Sequence, residues 1–200
     1  MPGLTQRQLK AQETKKRILD TALALFGEKG FDHVTVDEIT AKSETSKGAF
    51  YVHFNSKYDI FLEKFKEIDE FYADFMETLP KEMKSYGKIS LLVKSQMVYL
   101  RDSLGKDLLR TVYVSALIPN KSDYFSNMER QLYKLVYKIV EEGQIAGEIK
   151  EDRSPGELTM VITRCMRGTL YDWQLFDHFD LVLEGEKFIQ AILEGIQKEI

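Results

Sequence analysis

Apolar residues recur at three- and four-residue intervals along nearly every segment of the chain, and this period predicts an all-α protein of about nine helices. The first, over residues 13–29, places Ile18, Leu19, Ala22, Leu25 and Phe26 on one stripe, with Lys15, Lys16 and Arg17 near its start. Gly30 sits where a helix commonly ends in a left-handed turn, and Phe31 can fold back onto the stripe. "TVDE" offers Thr35 as N-cap and Glu38 three residues on, a capping box that opens a short second helix burying Val36 and Ile39. Ser46 caps a third helix over residues 47–53, in which Phe50 and Phe54, four apart, face inward. Ser56 with Asp59 starts a fourth and much longer helix.

Two short helices joined by a three- or four-residue turn are the plan of a helix-turn-helix reader, in which the second helix lies in the major groove of DNA. The first turn of such a helix must be small enough to approach base edges. Lys47, Gly48 and Ala49 meet that condition, while Tyr51 and His53 point away from the Phe50/Phe54 face and can hydrogen-bond phosphates. The plain alternative is that Tyr51 and His53 are exposed rim residues of a small helical core.

"RILDTALALFGEKGF", "TVDEI", "SKGAFYVHF" and "SKYDIF" together resemble the N-terminal domain of the tetracycline repressor family of bacterial transcription regulators, in that family's order and spacing. The resemblance implies a DNA-binding domain over residues 1–57, with Thr35 capping the second helix and touching phosphate. Ser46, Lys47, Gly48 and Ala49 would begin the recognition helix, Thr45 of the preceding turn would also bind DNA, and Tyr51, His53 and Lys57 would hold the DNA backbone. One turn departs from the family pattern: Ser43-Glu44-Thr45 stands where members usually have a glycine and then an apolar residue at the last two positions. Glu44 is therefore expected to take a positive φ without glycine's freedom, close to the DNA face.

Beyond Lys57 the period predicts helices over residues 56–79, 85–103, 105–117, 122–146, 154–176 and 183–199, with Pro80, Gly87, Gly105, Pro119, Gly147 and Pro155 at or near the breaks. Ser154-Pro155-Gly156-Glu157 joins a capping box to proline at the first helical position and is the best-marked start in this half. The last two helices carry stripes wider than one chain's core needs: Val161, Ile162, Cys165 and Thr169 on one, Phe188, Ile189, Ile192, Leu193 and Ile196 on the other. The resemblance implies that they form a two-fold dimer interface as a four-helix bundle, in a ligand-binding and dimerisation domain over residues 58–200. A symmetric dimer is also what a palindromic operator requires. The alternative is that both stripes are internal core.

The family usually senses a small molecule, so some of the aromatic and methionine residues in this half are expected to border a cavity. Phe65, Phe75, Met97, Tyr113, Met166 and Trp173 are the candidates, with Gln96, Arg101, Arg164 and Arg167 as polar groups that could select a ligand. The effector, the operator and the sign of regulation are not written in the sequence. Control by a protein partner, or a helical ligand-binding protein with no DNA role, stay open as alternatives.

Charge sharpens this division. The net charge is −4, but residues 1–57 hold nine Lys/Arg against seven Asp/Glu while the rest holds nineteen against twenty-five. A basic head precedes an acidic body, although binding depends on which face carries the charge. The single cysteine, Cys165, excludes an internal disulfide or a multi-thiolate metal site, and His33, His53 and His178 give no ligand-like pair. Neither a cofactor motif nor GxSxG, GxxxxGK or HExxH occurs, so no enzyme is expected. With no apolar run of about 18 to 20 residues and no signal-like start, the chain is expected to be cytoplasmic and free of membrane.

Overall fold

The computed structural model describes residues 5–80, 82–116 and 127–198, with the backbone alone at 61, 62, 64–66, 76 and 114–116. Among these residues the chain forms α1 (Gln6–Lys29), α2 (Val36–Lys42), α3 (Lys47–His53), α4 (Lys57–Thr78), α5 (Ser85–Tyr99), α6 (Gly105–Ala116), α7 (Gln131–Ile145), α8 (Pro155–Leu175) and α9 (Leu181–Ile196). A π-helical turn, Leu100–Leu104, continues α5 until Gly105 ends it with φ 75°. No described helix is long and apolar enough to cross a membrane.

The helices group into two units, Met1–Glu67 with Asp107–Val114 and Ile68–Lys106 with Ser115–Ile200. In the first unit, the head, α1, α2 and α3 pack on one another. Ile18, Ala22, Leu25, Phe26, Val34, Ile39, Phe50 and Phe54 are buried. Each large side chain among them stabilises the unit by about 1.5–3 kcal/mol, so Phe50 and Phe54 are the anchors that fix a seven-residue helix too short to persist by itself. Gly30 ends α1 with φ 80°, and Phe31 folds back until its ring centroid lies 5.0 Å from that of Phe26.

Two local expectations for the head need correction. α1 begins at Gln6, two turns earlier than expected, because Thr5 and Gln8 form a reciprocal capping box: the Thr5 N–H donates to Gln8 Oε1 at 2.8 Å and the Gln8 N–H to Thr5 Oγ1 at 3.3 Å. At α2, Thr35 Oγ1 does accept the Glu38 N–H at 3.2 Å, but the Glu38 carboxylate pairs with Lys29 of α1. Half of the expected box has become a tether between helices.

In the second unit, the body, α5 packs on α9 and α7, and α8 packs on α7 and α9, closing a four-helix arrangement. Ile89, Leu92, Met97, Val136, Ile139, Ile162 and Ile189 fill it. Helices approach closely where a glycine allows: a Cβ on Gly143 would lie 2.7 Å from both Ser85 and Ile149, and one on Gly185 would lie 3.0 Å from Met97. The Glu148 carboxylate accepts the Ser85 N–H at 2.6 Å, and an isolated bridge joins Ile149 to Gln197, so the ends of α5, α7 and α9 are tied together.

Ser154 and Glu157 form the expected box, with Pro155 opening α8. α9 starts at Leu181 rather than 183, because Asp180 Oδ1 accepts the N–H groups of Val182 and Leu183 at 3.1 Å. Of the helix expected over 122–146, residues 122–126 lie outside the described set and the described part is helical from Gln131, with Asn127 Oδ1 accepting the Glu129 N–H at 2.9 Å in a turn ahead of it.

Candidate nucleic-acid interface

The turn between α2 and α3 decides how α3 is presented. α2 ends in a complete Schellman arrangement, in which the Thr45 N–H donates to Thr40 O at 2.9 Å and the Glu44 N–H to Ala41 O at 3.3 Å. The position that closes such a turn is left-handed, and Glu44 occupies it with φ 52°, as expected from its place in the turn. A side chain there costs about 1–2 kcal/mol relative to the ordinary helical region. Hydroxyls offset part of this: Ser43 Oγ lies 2.9 Å from Thr45 Oγ1 and 3.4 Å from Thr40 O. The Thr45 hydroxyl is thus engaged in the turn itself.

Ser46 Oγ then accepts the Ala49 N–H at 3.0 Å and starts α3. Buried Phe50 and Phe54 orient it, leaving Ser46, Lys47, Gly48, Tyr51 and Val52 exposed and Ala49 and His53 half-buried. Tyr51 is 53% and Val52 79% exposed. Gly48 has an ordinary helical backbone, and a Cβ there would meet only Ser46 Oγ, at 3.7 Å. No described residue requires glycine at this position, although glycine inside a helix costs about 1 kcal/mol relative to alanine. The bare backbone is useful only to something that approaches from outside.

Charge on this surface is more committed than the sequence suggests. Lys47 Nζ pairs with Asp37 Oδ1 at 2.6 Å, linking the start of α3 to the first turn of α2 near Thr35, and the carboxylate raises the lysine's pKa above its ordinary value. Lys57, expected to face phosphate, is turned inward. Its ammonium donates to Phe31 O at 2.6 Å and Val34 O at 2.9 Å and lies 4.2 Å from the centre of the Phe31 ring, while partial burial lowers its pKa. A long lysine stem beside three open carbonyls finds partners within the fold, and a reading by position cannot foresee that. Val52 escaped the sequence reading altogether; its signal is that it is the lone aliphatic side chain of α3 opposite the Phe50/Phe54 face, where a thymine methyl could meet it.

In the body, the residues named as ligand-facing do not form one group. Phe75, Met97 and Met166 are buried, Trp173 is half-buried, and Tyr113 falls in the other unit, half-buried on α6. The Phe65 side chain lies outside the described residues. Of the polar candidates, Arg164 is exposed and Arg101 is held by neighbouring Asp102 at 2.7 Å. Gln96 and Arg167 work inside: Gln96 Nε2 donates to the buried Tyr72 hydroxyl at 2.7 Å, and Arg167 donates to Tyr133 Oη at 2.9 Å. Gln96 Oε1 and both amide atoms of Gln174 are buried without a hydrogen-bond partner.

The stripes on α8 and α9 split. Ile162, Thr169, Ile189 and Leu193 are buried within the chain, so these four serve its own core. Val161 and Phe188, each 39% exposed, remain on the outside with half-buried Cys165, Ile192 and Ile196, beside exposed Gly168, Tyr171 and Leu175. Burial raises the pKa of Cys165.

Residues 18–63 match the family model of bacterial regulatory proteins, tetR family. Among curated relatives, the uncharacterized regulator YerO of Bacillus subtilis is 31% identical over 137 residues, 62% of this chain and 44% of that protein. The regulator AcrR of Shigella flexneri is 26% identical over 92% of this chain and 89% of its own length. Among solved structures, the Bacillus subtilis regulator FadR in complex with stearoyl-CoA superposes with a TM-score of 0.72 at 23% identity, over 90% of this chain and 98% of that one. All three are transcriptional regulators. Residues 18–63 thus belong to the tetR family of bacterial regulatory proteins, and the chain is similar to regulators of that kind over most of its length.

Proposed function

We propose that this protein is a ligand-responsive transcriptional repressor that binds a palindromic DNA operator as a homodimer in the cytoplasm and carries out no catalytic step. The observation that carries the DNA-binding half is α3 itself. Its exposed face joins a bare glycine backbone at Gly48 to a hydroxyl, a phenol and an aliphatic group, the mixture that lets a helix sit deep in a major groove and touch both base edges and phosphates. Ser46, Lys47, Gly48, Ala49, Tyr51 and Val52 face the groove, with Thr35, Thr45 and His53 at its margins.

Dimerisation is supported by the outer faces of α8 and α9. Val161, Cys165, Gly168 and Leu175 recur on one side of α8, and Phe188, Ile192 and Gly195 on one side of α9. A Cβ on either glycine would meet nothing within 4 Å, so both leave room for close approach by a second chain. Two α3 helices related by a two-fold axis would span half-sites about 34–36 Å apart.

The effector half rests on the orphaned amide groups of Gln96 and Gln174 in the body, since buried polar atoms are ordinarily bonded, and a small molecule with hydrogen-bonding groups would satisfy them. α4 contributes residues to both units and would carry the coupling; about 1–3 kcal/mol of it would change operator affinity roughly 5- to 150-fold.

The test is fluorescence anisotropy with duplexes from the region flanking the protein's own gene. A sequence preference over a shuffled duplex, with two chains per site, is expected; equal affinity for both duplexes would sink the reading. Native mass spectrometry of the purified protein then reveals any co-purified effector by its mass.

A further inference from the structure

The positive excess of the head does not lie on its recognition motif. Residues 18–57 hold four lysines against six Asp/Glu, whereas residues 5–17 hold Arg7, Lys10, Lys15, Lys16 and Arg17 against Glu13 alone. The structure makes the contrast sharper. Lys29, Lys42, Lys47 and Lys57 are each bonded within the head, to Glu38, Glu28, Asp37 and the 31–34 carbonyls, and Lys15 pairs with Glu63. Among the described residues, Arg7, Lys10, Lys16 and Arg17 have no such partner, and all four are exposed.

Arg7 and Lys10 stand on a stretch of helix that packs on nothing among the described residues, and Lys16 and Arg17 follow where α1 begins to dock. Every residue from 5 to 13 is exposed, and the first buried residue of α1 is Ile18. A helix without a packed face is marginal in water, and this one is held at its start by the Thr5–Gln8 box. It extends the head by roughly 17 Å at about 1.5 Å per residue. Arg7, Lys10 and Arg17 lie within roughly 80° of one another at 3.6 residues per turn and so present one cationic side, with Lys16 about 100° further round the helix from Arg17. The match to the family model begins at residue 18, so this segment lies outside the part that defines the shared reader.

We infer that the amino-terminal half of α1 is a second DNA contact, in which Arg7, Lys10, Lys16 and Arg17 bind backbone phosphates of the duplex that α3 reads and supply most of the salt-dependent part of the affinity. The inference rests on the DNA-binding reading above. Charge complementarity selects the occupant: four unpaired, flexible cations spaced along a rod suit a regular array of phosphates, and they carry no groups that would read bases.

The test is the slope of log affinity against log salt. Arg7→Gln, Lys10→Gln, Lys16→Gln and Arg17→Gln together keep good helix formers in place, and circular dichroism checks the fold. The slope is expected to flatten by about 0.9 for every phosphate that the variant no longer neutralises, with at least a tenfold loss of affinity at low salt and an unchanged ranking of operator sequences. The double variant Arg7→Gln/Lys10→Gln should show about half the flattening. A control with the same change in net charge, Lys94→Gln/Lys134→Gln/Lys138→Gln/Lys187→Gln in the body, should leave the slope as it was. A quadruple α1 variant with the parent's slope, or a body control that flattens equally, overturns the inference while the DNA-binding reading stands. A parent protein that shows no salt-dependent DNA binding removes both.

Discussion

Gly48 in the head and Gly143 in the body are both glycines within helices, and they answer to different partners. At Gly143 the chain itself leaves no room, because a Cβ would stand 2.7 Å from Ser85 and Ile149, where α7 meets α5. At Gly48 the chain leaves ample room and the site is exposed. One glycine is explained by what the fold contains, the other only by what the fold must admit. The same test separates the lysines: Lys57 is consumed by the fold, and the cations of early α1 are left over.

Stability and DNA affinity should therefore respond to different positions. Gly48→Glu should abolish operator binding, at least about a 100-fold loss from a carboxylate set against phosphate, with the melting temperature held or slightly raised and the dimer mass unchanged. A melting transition that fell instead would break the comparison. Gly143→Ala should lower stability by about 1–3 kcal/mol through overpacking, measured by urea denaturation, and leave the affinity of the folded fraction intact. Lys57→Met keeps the stem but strips the 31–34 carbonyls of their donor; about 1–2 kcal/mol of stability should go, while the salt slope of binding holds. The smallest effect is expected at Glu44→Gly, which relieves the left-handed glutamate but frees the unfolded chain, for a net gain of about 0.5–1 kcal/mol read as a rise in melting temperature.

How much was legible depended on whether a residue acts through its neighbours in sequence. Caps do: Thr35, Ser46 and Ser154 are N-caps where the sequence places them, and Glu44 takes the backbone its position in the turn implies. The start of α1 was missed because residues 6–13 are polar on nearly every face, and a helix without an apolar stripe leaves no period to read; only Thr5 and Gln8 marked it. Lys57 and Glu38 were misassigned because long charged side chains reach partners far away in the chain, Phe31 and Lys29. On α8 and α9, periodicity found the apolar residues but could not divide them between an inner face, with Ile162 and Ile189, and an outer one, with Val161 and Phe188.

Asp37 and Lys47 are already joined before DNA arrives. When α3 meets an arbitrary phosphate, one ion pair is exchanged for another, and the gain from mere charge is small. A helix neutralised in advance discriminates by shape and base contact, which matters when on the order of a million or more competing sites surround one operator. With grip and reading on separate helices, the time spent searching a genome and the sequence finally chosen can be adjusted independently, by substitutions that need not touch each other.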